Sequence, residues 1–105
     1  MGIHAHHTPE QDALFDAFLS LKSREECYAF FEDLCTVKEL DDMTQRYRAA
    51  CMLLSGDTYE KITHSVSISS TTISRINRCI QYGEGGYRTV IERNFPELKK
   101  ESSGE

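Results

Sequence analysis

The chain has 105 residues, 39% of them hydrophobic and 28% charged, with a formal net charge of −5. This is an ordinary globular composition, enough for one domain with a modest core and short enough that dimerisation would help it. No long apolar run is present and no apolar segment follows a basic start, which argues against a transmembrane helix, a membrane partner or a secretory signal and for a cytoplasmic protein.

Residues 1–8 lack periodicity and read as a disordered tail or tag remnant, and His4, His6 and His7 within them are assigned no function. A single domain is expected over residues 9–95, with a polar tail over 96–105. Thr8-Pro-Glu-Gln has the form of a capping box with Pro9 at the first helical position. Leu14, Phe15, Phe18, Leu19 and Leu21 follow at helical spacing, predicting a helix over 9–21. A second box, Ser23-Arg-Glu-Glu, opens a helix with Cys27, Phe30, Phe31 and Leu34 on its apolar face. A third, Thr36-Val-Lys-Glu, follows almost at once. The connections are short and the apolar faces rich in aromatics, so part of this surface is expected to meet a second subunit.

Met43, Tyr47, Ala50, Cys51, Leu53 and Leu54 mark a further helix, ended by Ser55-Gly56 with Gly56 in the left-handed capping conformation. Residues 58–80 then carry the pattern of a helix-turn-helix. Ile62 and Val66 lie four apart on one short helix, Ile73 and Ile76 three apart on the next, and Ile68 in the connector, so that the five form a wedge. Asp57 or Thr58 is expected to cap the first helix, Asp57 with Glu60 as a capping box, and Ser67 or Ser69 the second. Ser67 stands where glycine is usual, so the turn should need little left-handed backbone.

The second helix of this pair turns Ser69, Ser70, Thr71, Thr72, Ser74, Arg75 and Arg78 outward, and Lys61 lies on the first helix. Short hydroxyls and guanidiniums are suited to base edges and phosphates, so the expected partner is double-stranded DNA. The charge is distributed to match. Residues 1–42 carry ten acids against three bases. Residues 43–94 carry seven bases (Arg46, Arg48, Lys61, Arg75, Arg78, Arg88, Arg93) against four acids (Asp57, Glu60, Glu84, Glu92). Phosphates respond to charges within roughly 8 Å at physiological salt, so a distant acidic half costs little affinity. The small local surplus favours two copies on two half-sites.

Tyr82-Gly-Glu-Gly-Gly-Tyr87 breaks the chain after the second helix, and Tyr87, Val90, Ile91 and Phe95 predict a last helix before Pro96. No strand pattern precedes Gly83 and no Gly-Lys-Ser/Thr follows, so a phosphate-binding loop is disfavoured. Cys27, Cys35, Cys51 and Cys79 form no CxxC pair and fall in apolar helical patterns, which reads as small reduced core residues rather than disulfides or metal ligands. His64 has no nucleophile or carboxylate constellation around it in sequence, so no enzyme is expected.

Over residues 10–94 the chain resembles the Trp-repressor superfamily, most closely the Trp-repressor-related YerC/YecD proteins. The resemblance rests on Thr36, Thr44-Gln-Arg46, Leu53-Leu54-Ser-Gly56, Thr71-Thr-Ile-Ser-Arg75 and the ending Asn77-Arg-Cys-Ile-Gln-Tyr-Gly83 with Gly85-Gly-Tyr87. It implies an all-α, Trp-repressor-like domain that forms an intertwined homodimer and places a helix-turn-helix in each of two successive major grooves. It also implies an effector pocket formed by Thr36, Arg46 and Arg75, two of whose arginines would sandwich an indole ring. Ile76 stands where the family has a pocket glycine, and Cys79 where it has a serine. A branched side chain fills the space a flat ring would need, so tryptophan is not the expected ligand; no cofactor is assigned, with a small amino-acid corepressor as the less favoured alternative. The alternative to a DNA-binding regulator is a protein-interaction module that contacts transcription machinery through acidic residues such as Glu25, Glu26, Glu32 and Asp33.

Overall fold

A computed structural model describes residues 7–99, so His4 and His6 and most of the polar C-terminal tail lie outside the described residues. The described residues contain helices and no strand. In chain order these are α1 (Pro9–Leu19), α2 (Arg24–Leu34), α3 (Val37–Leu54), α4 (Tyr59–Ser65), α5 (Ser70–Tyr82), α6 (Gly86–Asn94) and a 3-10 turn (Pro96–Leu98). None of the helices is long and apolar enough to cross a membrane. The backbone groups into two compact units, one reaching to Leu40 and the other beginning at Asp41.

In the first unit, Thr8 caps α1 through the full reciprocal box with Gln11. The helix stops at Leu19, short of the predicted 21, because Ser20 closes its last turn on the Ala17 carbonyl. Ser23 caps α2 by accepting from the Glu26 amide, but the Glu26 carboxylate accepts from the Lys22 amide rather than returning to Ser23. Phe18 meets Phe30 and Phe31 with ring centroids 5.9 and 5.0 Å apart, and this aromatic cluster joins α1 to α2. None of the described residues of this unit is fully buried.

Thr36 and Glu39 form a complete capping box, and the helix it opens runs unbroken to Leu54. The pattern had predicted two segments here. They fuse because no glycine or proline interrupts Val37–Leu54 and because Leu40, Met43, Tyr47, Ala50, Cys51 and Leu54 continue one helical stripe. Gly56 ends the helix with φ +91°, the left-handed backbone expected there.

The core lies in the second unit. Ala49 and Ala50 of α3, Ile62 of α4, Val66, Ile73, Ile76 and Ile80 of α5, and Ile91 of α6 are buried together. Ile68, Tyr87 and Leu98 pack against them. The predicted wedge therefore exists, with Ile68 partly rather than fully covered. Leu98 brings the 3-10 turn onto the core, so ordered structure reaches into the segment expected to be tail.

One capping expectation is corrected, the Asp57–Glu60 box. Thr58 caps α4 by accepting from the Lys61 amide, whereas Asp57 pairs with the Lys61 ammonium at 3.2 Å. The Asp57–Glu60 box does not form, since a cap at Thr58 puts Lys61, a donor, at the third helical position. Of the two serines, Ser69 caps α5. Cys79 is also corrected: it is exposed, because α5 buries the face of Ile73, Ile76 and Ile80 and position 79 falls outside that stripe. Cys27, Cys35 and Cys51 are half-buried.

Ile62 and Ile73 have no exposed surface, so truncating either should leave an unfilled volume beneath the helix pair. Ile73→Ala is expected to lower the unfolding free energy by roughly 2–5 kcal/mol, measured by urea denaturation at fixed protein concentration, while Ser74→Ala on the opposite face should change it by less than about 0.5 kcal/mol.

Candidate nucleic-acid interface

The roll of α5 is set by its buried isoleucines, and everything opposite them is presented to solvent. Thr71, Ser74, Arg75 and Arg78 are exposed and line one shallow depression of about 240 Å³. Their spacing of three, four and seven residues places them on one helical face. Ser70 is exposed beside them. Neither Arg75 nor Arg78 is paired with a carboxylate among the described residues, and the first turn of α5 contains no acid to offset the positive end of the helix dipole.

Three other predicted residues are partly occupied. The Ser69 hydroxyl oxygen accepts from the Thr72 amide and lies 3.2 Å from the Thr72 hydroxyl, so both residues serve the helix cap. Lys61 sits on α4 with its ammonium against Asp57, although its side chain is 65% exposed and free to swing away.

The turn between α4 and α5 contains no left-handed residue. Val66 and Ser69 have extended backbones, and among the described residues only glycines have positive φ. This agrees with serine at position 67. Sequence reasoning missed the side chains that hold the turn. The Gln45 amide oxygen accepts from the Ser67 N–H at 3.3 Å, and the Arg48 guanidinium donates to the Ser65 carbonyl at 3.2 Å. These contacts cross 22 and 17 positions of sequence, and no local motif announces them.

The expected effector residues are placed as follows. Thr36 belongs to the first unit and its hydroxyl oxygen is used in the α3 cap. Arg46 lies on the exposed side of α3 close enough to Tyr87 to act on its phenol, and Arg75 lines the α5 depression. Ile76, which the sequence resemblance sets at the family's pocket glycine, is 3% exposed and belongs to the core. A second, more apolar groove of about 420 Å³ is lined by Tyr47, Cys79, Glu84, Gly86, Tyr87 and Val90.

The family model for Trp repressor protein matches residues 10–95. The chain belongs to the Trp repressor family. It is 47% identical over 94 residues to the uncharacterized protein YerC of Bacillus subtilis (strain 168), covering 90% of this chain and 89% of YerC. Among solved structures, a TrpR-like protein from Eubacterium eligens ATCC 27750 superposes with a TM-score of 0.81 at 44% identity, covering 84% of this chain and 91% of that one. A candidate Trp repressor from Staphylococcus aureus superposes with a TM-score of 0.84 at 42% identity, covering 90% and 95%. The all-α, Trp-repressor-like fold read from the sequence is therefore the fold of this family member.

Burial raises the Tyr87 phenol above its ordinary 10.0, helped by Cys79 and opposed by the Arg46 charge. Burial likewise raises Tyr47, with Cys51 adding to it. A raised phenol means that the folded chain retains a proton that the unfolded chain releases. The stabilisation is complete below the unfolded value and is lost as pH rises through the folded one. Thermal unfolding followed between about pH 9 and 11 should show a falling melting temperature, with a shallower fall for Tyr87→Phe.

Proposed function

We propose that this Trp repressor family member is a sequence-specific, DNA-binding transcriptional regulator that acts as a homodimer through residues 58–80. The observation that carries the reading is the exposed face of α5, where hydroxyls and two guanidiniums without carboxylate partners line one depression opposite a buried isoleucine stripe. A helical hairpin with a purely structural role has no need of that face. Arg75 and Arg78 make the principal charged contacts, and Ser70, Thr71 and Ser74 read or position bases. Family membership supports the same class of activity.

The dimer is supported by the apolar surface of the first unit, where Phe15, Leu19, Tyr28, Leu34 and Val37 are 56%, 83%, 58%, 49% and 80% exposed. So much aromatic and aliphatic surface on a short chain is what a second copy would cover. Two reading helices one helical turn apart would also supply the affinity that a surplus of three positive charges over residues 43–94 does not. Tryptophan is not part of the proposal: the sequence resemblance sets Ile76 at the family's pocket glycine, and Ile76 belongs to the buried core.

Selection of bound fragments from a random DNA library, with and without added amino acids, tests the function. A near-palindrome with half-sites about one helical turn apart is expected, without dependence on tryptophan. On that duplex, Arg78→Ala should weaken binding to all sequences and reduce the salt slope by about one, whereas changes at Ser70 or Thr71 should alter base preference by roughly 1–3 kcal/mol. Full affinity in a folded Arg75→Ala/Arg78→Ala variant would overturn the assignment. Sedimentation should find dimers at micromolar concentration, and a folded monomer there would remove the dimer from the proposal.

A further inference from the structure

The helix-turn-helix is stabilised from outside itself. Ser65 is the last residue of α4, so its carbonyl is among those that a helix leaves without an internal donor. The Arg48 guanidinium supplies that donor at 3.2 Å and brings a positive charge to the negative end of the helix. The Ser67 N–H lies in the connector, outside either helix, and meets the Gln45 oxygen at 3.3 Å. Arg48 also reaches that same oxygen at 3.4 Å, so the two α3 side chains brace each other one turn apart. Without a left-handed residue to fix its path, an extended connector needs such outside contacts to choose one course.

We propose that Gln45 and Arg48 are positioning residues for the reading helix, clamping the α4–α5 turn by its backbone so that operator recognition depends on two side chains outside residues 58–80. This rests on the DNA-binding reading above. It also removes Arg48 from the phosphate-binding charges counted in the sequence, since its guanidinium is engaged on a carbonyl. Val66 is buried on one side of the connector, and the clamp holds the residues on either side of it, so the course of α5 out of the turn follows from both.

The test uses the full chain, the tightest duplex from library selection, a scrambled duplex of equal length, and amide exchange at Ser67 followed by NMR. Gln45→Leu keeps the bulk and removes the acceptor. It should speed Ser67 exchange and weaken operator binding by about two- to tenfold each, with scrambled-duplex affinity and salt slope unchanged. Gln45→Glu restores an acceptor and should rescue both, which a loss of mere packing would not allow. Arg48→Met serves as the second variant and should give the same pattern if Gln45→Leu does not fold. Unaltered Ser67 exchange in a folded variant overturns the clamp, and faster exchange with unaltered operator binding overturns its positioning role. Failure of the functional reading looks different: the wild-type protein would select no duplex, and the DNA consequence would fall with it while Ser67 exchange still reports on the turn.

Discussion

The packing of β-branched side chains against an alanine pair is the constraint from which the rest of the second unit follows. Ala49 and Ala50 present almost no side chain, and Ile62, Val66, Ile73, Ile76 and Ile80 are buried in one cluster with them. Such residues have few rotamers, and a core built from them tolerates little rotation of any helix about its axis. Once Ile73, Ile76 and Ile80 are fixed inward, the outward directions of Thr71, Ser74, Arg75 and Arg78 are fixed as well. The apolar face thus specifies the polar one.

Electrostatics then act on a surface whose shape is already set. The overall charge of −5 describes the chain poorly, because the acids concentrate before residue 43 and two guanidiniums without a carboxylate partner among the described residues stand on α5. Screening confines each region's influence to its own neighbourhood. On the proposed reading, an acidic first unit would discourage indiscriminate attachment to DNA. Two of the remaining basic side chains are used locally, Lys61 on Asp57 and Arg88 on Glu92 at 3.5 Å, which sharpens the contrast with Arg75 and Arg78.

Features with a local physical signature were readable from the residues alone. The isoleucine spacing announced the wedge, serine and threonine announced the caps at Thr8, Thr36 and Ser69, and Ser55-Gly56 announced the left-handed stop. Errors arose where two local signals competed. Asp57 and Thr58 both suit an N-cap, and a shift of one residue decides whether the third helical position holds Glu60, which can accept, or Lys61, which cannot. Cys79 was misplaced because residue type was weighed above its angular position on α5. The candidate interface was legible as a set, but the division of labour within it was not: Ser69 and Thr72 are occupied by the cap, and Gln45 and Arg48 reach the turn across distances in sequence that leave no pattern to read.

The short turn after α6 has a practical side. Leu98 rests on the same core that carries Ile91, although Phe95-Pro96 looks like the natural end of the last helix. Cutting the chain there would uncover apolar surface behind α6 and loosen the layer on which α5 is seated. A label, affinity handle or fused protein is better joined after Lys99 than after Asn94, and the folded body is a few residues longer than its helices imply.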